Sequence, residues 1–211
     1  TRLLNDHPDV RCGREMMVRK VIAPVRYLNN LAAKSPTAAY GSKLLSYQMV
    51  QVQRFTDPVG FLGRLKETGF RFVHLERNTF SQTLSLAMAQ STKTYHQVDG
   101  KADPKAKPAP VTIDIDDFIR RLEWNDLLLR YEAHCLAGFD PLHISYDDHL
   151  RSGETHQATA DRVFDWLGVD RAPVQGGMRK VLPEDPAQTV ANYDALASAI
   201  TARGLGHLLP G

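Results

Sequence analysis

The pattern of apolar and polar positions along the chain predicts short strands that alternate with helices. The run from Phe70 to Leu75 is apolar and rich in β-formers, which predicts a buried parallel strand that ends at Glu76-Arg77. A helix is predicted directly after it, with Asn78 or Thr79 as its cap. Its apolar side chains recur at every fourth position: Phe80, Leu84 and Met88.

The pattern of apolar and polar positions in the remaining chain predicts an α/β fold. Helices are predicted at the start of the chain up to Pro8 and over residues 23–33, 54–69, 116–137, 155–167 and 186–203, and further strands over residues 39–47 and 141–146. The segment Val10–Met16 is predicted to be a loop, and Val98–Asp114, rich in proline and lysine, a mobile excursion. This alternation favours one three-layer α/β/α domain over residues 1–211 with a mainly parallel sheet, whose first strand we expect upstream of Thr1.

Composition narrows the class of protein. The chain has 211 residues, of which 43% are hydrophobic and 24% charged, as expected for one globular domain. A formal charge of +2 is too small to predict nucleic-acid binding by bulk electrostatics. No apolar run approaches the roughly 20 residues of a membrane span, and two isolated cysteines fit free thiols in a reducing cytoplasm. We therefore expect a cytoplasmic protein without an integral membrane segment.

Arg77 and Ser85 form a candidate anion site. The predicted strand delivers Arg77 to the carboxyl edge of the sheet, where open α/β folds bind ligands. Ser81 and Ser85 form a polar stripe on the helix that follows. A planar guanidinium, backbone N–H groups at a helix start and a hydroxyl two turns along together suit a phosphate monoester. The alternative is an arginine paired with a surface carboxylate, beside serines that are merely small.

Other basic residues extend the set of candidates. Lys43 lies within a strand predicted to be buried, so its ammonium must reach an anion or a cleft to avoid a large desolvation cost. The alternative is a lysine at a strand end whose stem lies along apolar surface. Arg179 and Lys180 belong to a glycine-containing loop that we expect to fold back over a ligand. His7, in the turn before Pro8, is interpreted as structural.

Several segments resemble the bacterial sulfotransferases that use 3'-phosphoadenosine 5'-phosphosulfate (PAPS), and most closely the nodulation-factor and lipopolysaccharide sulfotransferases. The segments that carry the resemblance are LLNDHPDVRCGRE (3–15), YGSKLL (40–45), FVHLERNTFSQTLSLAMAQST (72–92), ISYDDHL with VFDWLGV, and MRKVLPEDPAQTVANYDAL (178–196). The resemblance extends over nearly the whole chain, and its strongest motif is the third.

The resemblance implies a site and a reaction. In that family an arginine at a strand end and a serine eight residues on hold the 3'-phosphate of PAPS, and Arg77 and Ser85 keep this separation. It also implies that Glu15 is the base for the acceptor hydroxyl, and that Arg179 and Lys180 return to the donor phosphates. Lys43 is a second catalytic candidate, in contact with donor or acceptor. The alternative for Glu15 is a loop carboxylate paired with Arg14.

The family comparison further implies a P-loop-type sulfotransferase fold. Its glycine-rich loop for the 5'-phosphosulfate should precede Thr1, so the first strand and the phosphate loop are missing from the given chain. PAPS would be the co-substrate, adenosine 3',5'-bisphosphate the product, and a carbohydrate or lipid-linked sugar the acceptor. No metal is expected, because sulfuryl transfer does not require one, and a homo-oligomer is compatible with the sequence. Two rivals stay open: a nucleotide kinase or other P-loop phosphotransferase, and a non-catalytic sugar-binding relative.

Overall fold

The computed structural model describes residues 2–92, 110–175 and 185–210, apart from the side chains of Ser91 and Thr92. The chain is a mixed α/β protein that divides into two compact units. The first unit comprises Thr1–Glu76 and Leu128–Gly176, and the second comprises Arg77–Leu127 and Gly177–Gly211. Most of the predicted excursion, residues 98–109, lies outside the described residues.

The described helices agree with most of the predicted ones. They are α1 (Pro24–Ala33), α2 (Pro58–Glu67), α3 (Thr79–Thr92), α4 (Ile115–Leu136), α5 (Tyr146–His149), α6 (His156–Leu167) and α7 (Tyr193–Ala202). The predicted N-terminal helix is a 3-10 turn, Leu3–Asp6, and Gln48–Gln53 form a π-helical turn. The last helix begins later than predicted, because Pro186–Gln188 form a separate 3-10 turn. None of the described helices is both long and apolar enough to cross a membrane.

The described part of the first unit contains four short strands: β1 (Val10–Glu15), β2 (Ala39–Lys43), β3 (Val73–Glu76) and β4 (Leu142–Ser145). Within the described residues they form two separate parallel pairs, β1 with β2 and β3 with β4. The predicted parallel pairing is confirmed. The loop predicted over Val10–Met16 is wrong, because residues 10–15 form β1. Glycine and charged residues weaken the alternation of this strand, and its pairing with β2 is a contact that local sequence does not encode.

The prediction of a buried strand over Phe70–Leu75 also needs correction. The strand is β3, and its side chains alternate between two faces. Val73 and Leu75 are 42% and 51% exposed, whereas His74 between them is only 5% exposed. Within β3 the buried side chain is therefore the polar His74, and Val73 and Leu75 are the ones that meet solvent.

The first unit has its main core between α1, α2 and the π-helical turn. Its buried apolar residues are Met17, Leu28, Met49, Phe61, Leu62, Leu65 and Cys135. Gln53 is buried beside them and is fully hydrogen-bonded: its amide donates to the carbonyls of Met17 and Arg19 and accepts from the N–H of Val21. These bonds fix the segment that follows β1, since a buried amide without partners would be costly.

The second unit is built around α3, the first half of α4, and α7. Its buried apolar residues are Phe80, Leu84, Met88, Ile113, Phe118, Ile119, Leu122, Val190, Leu196 and Ile200. The side chain of Asn192, at the start of α7, bonds both the N–H and the carbonyl of Ile113, at 2.9 and 2.8 Å. Asn125 of α4 donates to Thr83 of α3 over 2.9 Å, so a polar contact fixes how these helices pack.

Candidate functional site

Arg77 and Ser85 lie in hydrogen-bond contact in the second unit. The guanidinium Nη2 of Arg77 donates to Ser85 Oγ over 2.9 Å, and this hydroxyl donates in turn to the carbonyl of Ser81 over 2.8 Å. Asn78 caps α3, as predicted, by accepting from the N–H of Ser81 over 2.9 Å. Arg77 and Ser85 are both half-buried. The structure thus brings together the two residues that the sequence singled out as an anion site.

The chemistry of this pair suits an oxyanion. A guanidinium offers five N–H donors in one plane and keeps its charge at all physiological pH values. The Ser85 hydroxyl is held at a fixed distance by two bonds, and rotation of its proton would turn it into a second donor to an anion. Arg77 also lies one residue before the cap of α3, whose positive dipole end favours negative charge. The arrangement supplies charge, a neutral donor and a helix start within one short segment.

Glu15 and Lys43 form a second group, in the first unit. They are register partners at the ends of β1 and β2, after an irregularity in the pairing between Cys12 and Glu15. Lys43 Nζ lies 3.3 Å from Glu15 Oε1. Glu15 Oε2 accepts from Gln48 Nε2, also over 3.3 Å. Gln48 is fully buried in the π-helical turn, so one carboxylate oxygen is held by a buried amide and the other by a half-exposed ammonium.

The structure corrects the interpretation of Lys43 as a buried lysine. Its side chain is 46% exposed and occupies the last position of β2, so no desolvation cost forces it toward a ligand. The ion pair with Glu15 is therefore of the exposed kind, which contributes about 0–1 kcal/mol. Glu15 is the last residue of a strand instead of a loop residue, and its partners are Lys43 and Gln48, not Arg14. Gln48 was missed, because nothing in the local sequence distinguishes a buried glutamine.

Of the other residues singled out from the sequence, the structure describes His7 but not Arg179 or Lys180. Arg179 and Lys180 lie outside the described residues, so their assignment stays a prediction. His7 is structural, as interpreted: it is buried, its Nδ1 accepts from the N–H of Asp9 over 2.9 Å, and its Nε2 lies 2.6 Å from the carbonyl of Asp170.

A group of potential metal ligands on β3 and β4 was not foreseen from the sequence. A nitrogen of His74, a nitrogen of His143 and a carboxylate oxygen of Glu76 lie within 4.8 Å of one another. His74 and Glu76 alternate along β3, and His74 is the register partner of His143 on β4. The alternation of His74 with Glu76 was visible in the sequence, but the pairing with His143 needed the register of two strands that are distant along the chain. The absence of a metal therefore stays a prediction.

Comparison of this chain with known protein families, with curated proteins and with solved structures gave no match. The resemblance to sulfotransferases thus depends on the motifs described above and on the geometry of the residues in them.

Proposed function

We propose that the protein is a PAPS-dependent sulfotransferase that sulfates a hydroxyl of a carbohydrate or of a lipid-linked sugar. The single observation that supports this proposal most is the contact of 2.9 Å between Arg77 Nη2 and Ser85 Oγ. The same two residues are the ones that the family resemblance assigns to the 3'-phosphate of PAPS. Their positions before and within α3 follow from the sequence, whereas their direct contact is a property of the folded chain.

The reaction transfers a sulfuryl group without a metal. The sulfur–oxygen bond to the phosphate of PAPS breaks, a bond from the acceptor oxygen to sulfur forms, and adenosine 3',5'-bisphosphate leaves. The acceptor hydroxyl loses its proton in this step, and we assign the proton to the Glu15 carboxylate. Lys43, 3.3 Å from that carboxylate, supplies positive charge beside it. Arg179 and Lys180 complete the proposed contacts to the donor phosphates, and the fold is proposed to be of the P-loop sulfotransferase type.

The geometry of Glu15 is suited to this role for a specific reason. A general base must keep one oxygen directed at the proton that it accepts. Gln48 is buried and holds Oε2, while the partner of Oε1 is a half-exposed lysine that can move away. One oxygen is therefore fixed by the fold, and the other is open to exchange its ammonium partner for an acceptor hydroxyl.

The direct test is transfer of labelled sulfate. The intact protein is incubated with PAPS labelled in its sulfuryl group and with a panel of glycans, glycolipids and simple phenols. The expected result is label in a carbohydrate product together with release of adenosine 3',5'-bisphosphate. Label in the phenols alone would contradict the proposed acceptor class, and no label in any product would contradict sulfuryl transfer.

A binding experiment separates the proposal from its two rivals. Ligands that bind the native state raise the melting temperature, so adenosine 3',5'-bisphosphate without metal should stabilise the protein. A nucleotide kinase should respond instead to ATP with magnesium. A sugar-binding relative without catalysis should respond to a glycan and to neither nucleotide.

A further inference from the structure

His74, Glu76 and His143 have the composition and spacing of a metal-binding site on one face of the β3–β4 pair. Glu76 Oε1 lies 2.9 Å from His74 Nδ1 and 3.7 Å from His143 Nδ1. Ligands around a tetrahedral zinc ion, with bonds of about 2.0–2.1 Å, are about 3.3 Å apart. The two distances bracket this value. Small side-chain rotations would therefore be enough to direct the three ligand atoms at one ion.

The buried nitrogen of His74 is the observation that points to a ligand. His74 is 5% exposed, and within the described residues its Nδ1 has no hydrogen-bond partner, although Glu76 Oε1 is close. Glu76 thus approaches at ion-pair distance but without the alignment of a hydrogen bond. Buried polar atoms are nearly always satisfied in folded proteins. A metal ion on the Nδ1 lone pair would satisfy this atom and would account for the approach of the carboxylate.

Glu132 on α4 supplies the second feature of a metal-binding histidine. Its Oε2 lies 3.3 Å from His74 Nε2, the ring nitrogen that faces away from Glu76. Histidines that bind metal commonly donate their other N–H to a carboxylate, which fixes the tautomer and leaves the first nitrogen free for the metal. The backbone of His143 is held as well, because its carbonyl accepts from Arg162 of α6 over 3.4 Å.

We propose that His74, Glu76 and His143 bind one divalent transition-metal ion, with Glu132 as the carboxylate that orients His74. Two imidazoles and one carboxylate favour zinc and its neighbours over calcium or magnesium, which take oxygen ligands. Side chains of His143 and Glu76 are 65% and 46% exposed, so the ion has access from solvent and keeps positions for water. The ion would connect β3 to β4 and stabilise the first unit. This proposal does not depend on the proposed sulfotransferase activity.

The test is a calorimetric titration of the metal-free intact protein with zinc chloride at pH 7.5. We expect one zinc ion per chain, and a loss of affinity of at least about tenfold in His143→Ala and in Glu76→Gln. At the same zinc concentration, the melting temperature should also rise less in His143→Ala than in the native protein. The matched control is His134→Ala, which removes an exposed histidine of α4 in the same unit and should bind zinc normally.

Each alternative outcome would overturn the proposal. Absence of zinc binding in the native protein excludes the site, and unchanged affinity in His143→Ala and Glu76→Gln places zinc elsewhere. Equal losses in His134→Ala would show surface binding by any histidine. Because His143 and Glu76 are exposed, these variants should fold, and urea unfolding of each metal-free variant checks this directly. Glu132→Gln adds a separate readout: it removes no ligand, yet should weaken zinc binding by about 10- to 100-fold.

Discussion

Arg77, one residue before the cap of α3, and Ser85, two turns into that helix, are joined by a hydrogen bond of 2.9 Å. The bond holds one nitrogen of the guanidinium against the hydroxyl of Ser85. A bisphosphate ligand would insert its 3'-phosphate at this contact, where it gains charge-assisted bonds of about 1.5–3 kcal/mol each. The first two predictions below follow from the roles proposed for Arg77 and Glu15.

Arg77→Ala should weaken the binding of adenosine 3',5'-bisphosphate to the intact protein by one to two orders of magnitude, because about 1.5–3 kcal/mol corresponds to that change in affinity. Ser85→Ala should weaken it less, since a neutral hydroxyl contributes about 0.5–1.5 kcal/mol. Isothermal calorimetry measures both effects.

Two matched variants control this prediction. Ser81→Ala changes a serine one turn earlier on α3 and keeps the backbone carbonyl that Ser85 uses, so affinity should not change. Arg120→Ala removes an arginine whose side chain is 73% exposed, in the same unit. If it weakens binding as much as Arg77→Ala does, the effect of Arg77 is only loss of net charge, and the assigned phosphate site is wrong.

Glu15→Gln should lower the rate of sulfuryl transfer by about 10²–10⁴-fold without changing bisphosphate affinity, since an amide cannot accept the acceptor proton. The substitution is nearly isosteric. Rates are measured with saturating donor, and affinity by calorimetry as above. The control is Glu67→Gln, an exposed glutamate at the end of α2 in the same unit. Equal turnover in Glu15→Gln and in the native protein would remove Glu15 as the base.

Those parts of the structure that are set by neighbours along the chain could be predicted from the sequence. The helix predicted over residues 155–167 is α6, and the predicted cap Asn78 does begin α3. Both depend on local signals, namely a period of 3.6 residues and side chains that bond nearby N–H groups. The positions of Arg77 before α3 and of Ser85 within it belong to the same class, because both follow from where the helix begins. Such features need no knowledge of the remaining fold.

Features that depend on distant segments of the chain could not be predicted from the sequence. Strand β1 is recognisable only through its pairing with β2, and the exposure of Lys43 depends on where that pairing ends. One partner of His74 comes from α4, which supplies Glu132, and the proximity of His143 depends on strand register. Periodicity along one strand shows which side chains share a face but not which face the protein covers. This is why the prediction that Val73 and Leu75 lie in a buried strand was wrong.

The two cysteines should react slowly in the native protein. Burial raises the pKa of the Cys12 thiol, and it also raises the pKa of the Cys135 thiol, where a hydrogen bond with Tyr131 offsets part of the effect. Since the thiolate is the reactive form, labelling by a thiol reagent at pH 7.5 should be much slower than that of free cysteine. In urea, where the chain is unfolded, both thiols should react with the reagent immediately.

The raised pKa of the thiols also determines how the free energy of unfolding changes with pH. A thiol whose folded pKa is above its unfolded value of about 8.5 contributes stability that is complete below that pH and is lost as the pH rises through the folded pKa. Urea unfolding between pH 7 and 10 should therefore show a decline that is smaller in Cys12→Ser. Rapid native labelling of Cys12 at pH 7.5 would contradict the prediction. Labelling of Cys135→Ser identifies which thiol reacts.

Leu122→Ala should destabilise the second unit strongly. Leu122 is fully buried in its core, so truncation removes apolar contact and leaves a cavity, at a cost of about 2–5 kcal/mol in the free energy of unfolding. Leu127 lies on the same helix and is 50% exposed, so Leu127→Ala should cost no more than about 0.5 kcal/mol. Urea unfolding followed by circular dichroism compares them, and equal costs would refute the assigned core face of α4.

Gly168 ends α6 in a left-handed conformation with φ of 75°, and its N–H bonds the carbonyl of Phe164 over 2.9 Å. Gly168→Ala should cost about 1–2 kcal/mol, because a Cβ clashes with the backbone carbonyl in this region. Gly138, which follows α4, is the control: beyond the adjoining backbone a Cβ meets no atom within 4 Å at either position, and Gly138 lacks a positive φ. Gly138→Ala should therefore be neutral or stabilise by up to about 1 kcal/mol. A thermal melt that ranks the two variants in the opposite order would show that α6 does not end in this conformation.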